Sequence, residues 1–348
     1  MGKNIFFTEK TQFEKNLNTI ILYNTKQKLN RKDSKVMIEA KNLVKKYGNQ
    51  FAVNDISFTV EEGKIYGLLG PNGAGKSTCM NIITGYIAAS SGEVKINGHD
   101  IMTDAEEAKK YIGYLPEIPP LYPDMTVAEY LNFVAELKKV PKAERAQEIE
   151  EVMAKTFITD MKNKLIKHLS KGYKQRVGLA QAMLSNPSVI ILDEPMVGLD
   201  PKQILEIREL ILGLKKDHTV ILSSHILSEV SAVCDEIMII SKGKMIACDT
   251  PDGLSHRMQG DTTLEVDVKG EKDILEALLA SMDKISSYSV CEKENGIVHA
   301  DIHVAETVEI RDELFALLAC NNMPIYRLDM VSKSLEDIFL ELTEEVKA

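Results

Sequence analysis

Lys64-Ile65-Tyr66-Gly67-Leu68-Leu69 runs directly into Gly70-Pro71-Asn72-Gly73-Ala74-Gly75-Lys76-Ser77-Thr78, and the apolar-periodic segment Cys79 to Ile83 follows. The stretch fits GxxxxGK[ST] in the setting that pattern requires, a strand before it and a helix after it. Glycines let the backbone fold tightly around an anion, so that several N–H groups point inward where side chains would block approach. The loop ends at a helix N-terminus, whose free N–H groups and dipole favour negative charge. Lys76 is placed to neutralise the β- and γ-phosphates of a nucleotide, the Ser77 hydroxyl to ligate Mg2+, and Thr78 to add a phosphate hydrogen bond. The nine residues Gly70, Pro71, Asn72, Gly73, Ala74, Gly75, Lys76, Ser77 and Thr78 therefore read as a nucleotide cradle.

A second stretch supplies carboxylates. Val189-Ile190-Ile191-Leu192-Asp193-Glu194-Pro195 is a four-residue apolar run ending in two acids, so both should emerge at the carboxyl edge of a buried strand, where α/β sheets bind ligands. Asp193 is suited to hold Mg2+, commonly through water, and Glu194 to polarise an attacking water as general base.

Further motifs stand in order around these two. Leu169-Ser170-Lys171-Gly172-Tyr173 precedes a helical pattern, Gly198-Leu199-Asp200-Pro201 follows the carboxylates, His225 follows Ser223-Ser224, and Tyr47 lies upstream. Taken together, from about Met37 to Gly253, the chain resembles the ABC transporter nucleotide-binding proteins. The resemblance makes Ser170 and Gly172 part of the family signature, LSGGQ, Asp200 part of the D-loop, His225 the switch histidine and Tyr47 the aromatic that stacks on adenine. It implies a P-loop NTPase cassette with a helical signature subdomain, hydrolysing ATP with Mg2+. It also implies two such chains, or this one and a paralogue, sandwiching two ATP molecules head to tail. In that arrangement Ser170 and Gly172 would meet the γ-phosphate held by the other chain.

Two motifs depart from the family pattern. Lys171 and Tyr173 stand where Gly and Gln are usual, and Glu117, in Tyr114-Leu115-Pro116-Glu117, stands where the Q-loop has glutamine. Glu117 retains the means to approach Mg2+ or water, so it joins Glu194 and His225 as a catalytic candidate and Ser77 and Asp193 as a metal candidate. Both variants resemble a subset that includes ABC-2 type exporters and gliding-associated ATPases.

The rest of the chain frames these motifs. Ile38 to Val44, Ala52 to Val60 and Glu93 to Ile96 alternate like strands, while Val127 to Leu137, Lys142 to Phe157, Lys171 to Met183 and Pro201 to Lys215 have helical spacing. Alternating strands and helices imply an α/β fold with a mostly parallel central sheet. Beyond Leu254 the order strand, helix, strand, strand, helix, strand, then a helix at 334–344, implies a small α+β domain of ferredoxin-like type. The expected divisions are a polar extension over 1–36, a cassette over 37–254 with its helical subdomain at about 116–184, and an accessory domain over 255–348.

Composition limits the function classes. A formal charge of -10 gives no broad electropositive footprint, so no nucleic-acid partner is expected. Cys79, Cys234, Cys248, Cys291 and Cys320 form no CxxC pair and fit reduced thiols. No apolar run reaches the roughly 18 residues that span a bilayer, so transport needs a separate membrane permease. The expected location is cytoplasmic, peripheral on the inner face of the membrane. The loop Glu117 to Thr126, rich in proline and entering a helix with Thr126 and Glu129 as a capping box, is the expected permease contact. The competing reading is a soluble ABC ATPase acting on ribosomes or DNA. Such relatives usually carry two cassettes or a long coiled-coil insertion, and this chain has one motif set and no sustained heptads.

Overall fold

The computed structural model describes residues 35–258, 262–293, 296–304 and 309–331. Residues 1–34 of the extension expected over 1–36, and the helix expected at 334–344, lie outside the described residues. The chain divides into two compact units between Pro251 and Asp252.

The first unit opens with β1 (Val36–Tyr47), β2 (Gln50–Glu61), β3 (Ile65–Leu69), α1 (Lys76–Ile83), β4 (Ser91–Ile96), β5 (His99–Asp100), α2 (Ala105–Lys110) and β6 (Ile112–Leu115). It continues with α3 (Val127–Leu137), α4 (Arg145–Lys155), α5 (Lys171–Met183), β7 (Val189–Leu192), α6 (Pro201–Leu214), β8 (Thr219–Ser224), α7 (Leu227–Ser231), β9 (Glu236–Ser241) and β10 (Lys244–Asp249). Six strands form a sheet in the order β10-β9-β3-β8-β7-β6, in which β9, β3, β8, β7 and β6 are parallel and β10 is an antiparallel edge.

The alternating strands near the amino end do not join that sheet. They build a separate antiparallel one in the order β2-β1-β4-β5. Burial explains the division. All five residues of β3 and all four of β7 are buried, as befits strands covered on both faces, whereas β1 and β2 alternate and need one covered face. One core joins the two sheets, with Ile38, Ile56 and Ile96 from the antiparallel sheet packed with Tyr66, Leu68, Ile191, Ile221 and Met238 from the parallel one and Met80 from α1. Each large aliphatic side chain so buried contributes about 1.5–3 kcal/mol, which fixes β3, β7 and β8 side by side under the loops that follow them.

The helical region packs α5 on α3, α4 and β6. Thr126 and Glu129 form a full capping box at the start of α3, each side chain bonded to the other's backbone N–H. Buried Arg176 on α5 pairs with Glu206 on α6, so the two helices that flank the site are tied together.

The helix α8 (Pro251–Met258) leads into the second unit, which then runs β11 (Thr262–Lys269), α9 (Lys272–Ala280), β12 (Ile285–Glu292), β13 (Ile297–Val304), α10 (Arg311–Cys320) and β14 (Ile325–Val331). Its antiparallel sheet has the order β12-β13-β11-β14, a ferredoxin-like arrangement. Leu264, Val266, Ala300 and Ile302 alternate along its central strands and pack with Leu275, Leu279, Leu314 and Leu318 from the two helices.

Candidate functional site

Three neighbouring parallel strands deliver the site. The loop after β3 carries Lys76 and Ser77, Asp193 and Glu194 follow β7, and β8 lies between them, ending in Ser223 and Ser224 before His225. The carboxyl edge of the sheet is therefore where the two sequence motifs meet, because fully buried apolar strands stop there and polar residues emerge.

The loop holds its shape through backbone constraints. Gly75 is the N-cap of α1 at φ 109°, and a Cβ there would lie 2.3 Å from the Ala52 carbonyl oxygen, so only glycine fits. No side chain caps the helix, which leaves its first N–H groups free to face an anion. Ala74 is tied on both sides, its N–H to Pro71 O at 3.1 Å and its carbonyl to the Gly243 N–H at 2.9 Å. Buried Lys76 donates to Gly70 O at 2.8 Å and Pro71 O at 3.3 Å.

Charges and hydroxyls converge beyond it. Lys76 Nζ lies 3.2 Å from Glu194 Oε1, and His225 Nδ1 lies 3.0 Å from Glu194 Oε2. Ser77 Oγ donates to Asp193 Oδ1 at 3.3 Å, and Ser223 Oγ donates to the same oxygen at 2.6 Å. Burial pushes the Asp193 carboxyl above its ordinary pKa, opposed by the hydrogen bonds from Ser223 and Ser77. Glu194 adopts φ 47°, a left-handed backbone unusual for this residue type, which turns its carboxylate back toward Lys76.

A cleft of about 320 Å3 opens over this group, lined by Asn72, Gly73, Gly75, Lys76, Ser77, Thr78, Glu117, Glu194 and His225 together with Ala52 and Val197. Gly70, Pro71 and Ala74 stand behind it and hold the loop. Asp193 reaches the group through Ser77. Tyr47, Ser170, Gly172 and Asp200 are not in its lining. Tyr47 is 55 % exposed at the end of β1, with Lys45 Nζ 5.4 Å from its ring centroid. Ser170 caps α5 by accepting the Tyr173 N–H, and Asp200 caps α6 by accepting the Gln203 N–H at 2.9 Å.

Sequence reasoning missed Ser223. Its signal is a pair of serines closing the buried run Val220-Ile221-Leu222, which has no place in an apolar strand unless the hydroxyls find partners.

A phosphate loop, a carboxylate pair and a histidine at the edge of a parallel sheet, with a separate antiparallel sheet alongside, define a nucleotide-hydrolysing ATP-binding cassette. The comparisons carry this to a family. The ABC transporter model matches residues 53–197. The linearmycin resistance ATP-binding protein LnrL of Bacillus subtilis is 34% identical over 88% of this chain and 98% of its own length. The bacitracin transport ATP-binding protein BcrA of Bacillus licheniformis is 33% identical over 88% of this chain and 97% of its own. Among solved structures, an ATP-binding subunit of an ABC transporter superposes with a TM-score of 0.58 at 32% identity, covering 64% of this chain and 92% of that one. The dimeric post-hydrolysis cassette MJ0796, bound to ADP and Pi, matches at 0.56 and 27% identity, over 62% of this chain and 98% of that one.

The chain belongs to the ATP-binding proteins of ABC transporters. It is an ATPase whose hydrolysis is coupled to transport, and such subunits work with membrane permeases. These relatives do not favour the ribosome or DNA reading. No helix among the described residues is long and apolar enough to cross a membrane.

Proposed function

We propose that this chain binds MgATP in the cleft over Lys76 and drives export through a separate permease by closing on a second cassette. One observation carries the reading. The cleft holds a loop, a cation and carboxylates for ATP, while Ser170, Gly172 and Asp200 lie outside its lining, which supports their serving the cleft of a second chain. In the sandwich Ser170 and Gly172 of one cassette meet the phosphate held by the other, at the N-terminus of the 13-residue helix α5. Tyr47, exposed beside the hairpin, is free to stack on adenine.

The donor set suits Mg2+. Ser77 Oγ and Asp193 Oδ1 are hard oxygens 3.3 Å apart, with Glu117 on the cleft wall. When bound, Mg2+ neutralises charge developing on the phosphates. Lys76 trades its Glu194 partner for the phosphates, which frees Glu194 to accept a proton from the attacking water, and His225 keeps that carboxylate aligned. Loss of the γ-phosphate then loosens the pair of cassettes.

For the permease, the stiff loop Glu117 to Thr126 borders a groove of about 860 Å3 in which Tyr86 and Ile118 are 78 % and 81 % exposed. Docking there would hold the chain peripherally on the inner membrane face. Export is supported by the likeness to the bacitracin transport and linearmycin resistance ATP-binding proteins. Glu194→Gln, which removes the base while keeping the side-chain volume, should trap an ATP-bound dimer on gel filtration. A monomer at saturating MgATP would overturn the sandwich.

A further inference from the structure

Two opposite charges without an ion-pair partner among the described residues, Glu117 and Lys171, face one cavity beside the cleft, which Lys174 lines as well. Glu117, just beyond β6, lines both the nucleotide cleft and a second cavity of about 270 Å3, and Lys171, the first residue of α5, lines that second cavity too. Both residues are exposed.

Lys171 has a second contact. Its side chain lies across Gly198, where a Cβ would sit 2.2 Å from Nζ and 3.4 Å from Cε, so the ammonium fills the place of the side chain that Gly198 lacks. Gly198 belongs to a tight run of turns leading from Glu194 to Asp200. Within it the Val197 N–H donates to Glu194 O at 3.2 Å and the Leu199 N–H to Met196 O at 3.3 Å. A push on Gly198 is therefore felt at Glu194, whose left-handed backbone starts that run.

Charge balance makes the ammonium matter. Glu117 and Glu194 line a cleft that must also admit a triphosphate, Asp193 reaches it through Ser77, and Lys76 is the one cation in its lining among the described residues. We propose that Lys171 is a positioning residue for ATP hydrolysis: seated on Gly198, its ammonium holds the Glu194–Asp200 turn against α5 and offsets the Glu117 carboxylate across the shared cavity. This rests on the reading that Glu117 and Glu194 serve the cleft. Because the two charges are exposed and not in contact, their coupling weakens with salt over a screening length of about 8 Å at physiological ionic strength.

A double-mutant cycle on the full chain tests this, with Lys171→Met, Glu117→Gln and the double variant assayed for ATPase alongside wild type and Lys76→Ala. Lys171→Met should lower kcat about fivefold while KM for ATP moves less than about twofold. In the Glu117→Gln background Lys171→Met should cost no more than about 1.5-fold, the share of the Gly198 seat, a departure of at least about threefold from multiplied single effects that should shrink at 0.5 M salt. Lys171→Arg should restore kcat to within about twofold of wild type. Multiplied effects, or wild-type kcat in Lys171→Met, overturn the proposal while leaving the ATPase reading intact. Absence of turnover in the wild-type chain overturns that reading instead.

Discussion

Ser223 Oγ donates to Asp193 Oδ1 at 2.6 Å and accepts the Glu194 N–H at 2.9 Å, so a single buried hydroxyl on β8 holds both acidic residues that follow β7. The register makes this unavoidable, since Leu192 pairs with Leu222 and the next residue on each strand is Asp193 and Ser223.

Ser223→Ala should therefore damage catalysis without touching ATP directly. A hydrogen bond to a charged group contributes about 1.5–3 kcal/mol, and its loss leaves a buried carboxylate oxygen and an amide each short of a partner. We expect kcat for ATP hydrolysis to fall about tenfold or more and the Mg2+ concentration for half-maximal rate to rise. Ser223→Thr, which keeps the hydroxyl, should recover most of the rate. Unchanged kcat in the alanine variant sinks the idea that Ser223 positions the acids.

Lys76→Ala should abolish ATPase activity, and normal turnover in it would overturn the phosphate-loop assignment. The structure adds a stability effect. Lys76 and Glu194 are 5 % and 8 % exposed, so removing the ammonium leaves a buried carboxylate with His225 as its one remaining side-chain partner among the described residues. We expect a loss of about 1–3 kcal/mol in nucleotide-free protein. Lys76→Ala/Glu194→Gln should regain it, because the neutral amide is cheaper to bury. Calorimetry showing the two variants equally unstable would count against a stabilising pair.

How far the sequence reveals this site follows from what each residue depends on. Lys76 and Ser77 lie in a local motif whose strand, loop and helix are contiguous, and Asp193 ends an apolar run that can only be a buried strand. Ser223 is different. Its role requires β8 to lie between β3 and β7, which is tertiary information carried by no local pattern. The antiparallel sheet shows the same boundary, because the alternation in β1 is visible while its pairing of Ile38 with Ile96, nearly sixty residues away, is not. β6, four residues between α2 and a proline-rich loop, is too short to carry a period of its own, though it forms the sheet edge from which Glu117 emerges.

His218 gives a pH dependence with a definite sign. Its Nδ1–H donates to Pro187 O at 2.6 Å, and burial holds the imidazole below its ordinary pKa, opposed by that hydrogen bond and by Asp217. The unfolded chain takes up a proton near the ordinary histidine value of about 6.5, whereas the folded chain resists it until lower pH. The stability contribution is thus present above that value and is lost as pH falls below it toward the folded pKa. Urea midpoints followed by circular dichroism should drop between pH 7.5 and 5.5, and His218→Gln should flatten the slope. Parallel slopes in the two proteins would refute the assignment.

The proposed sandwich makes the sharpest prediction, because in it each site would take its phosphate loop from one chain and Ser170 from the other. Lys76→Ala and Ser170→Arg chains should each be inactive alone, the first for want of a cation and the second because a bulky side chain blocks the N-terminus of α5. Mixed one to one with MgATP, half the dimers combine both variants, and in each of those one of the two sites has an intact loop facing an intact Ser170. Activity should return to about a quarter of the wild-type site turnover. If hydrolysis at one site requires a competent partner site, the recovery falls below that figure but stays above the sum of the separate variants. A mixture no more active than that sum would show that Ser170 acts within its own chain, and the two-chain site would have to be abandoned.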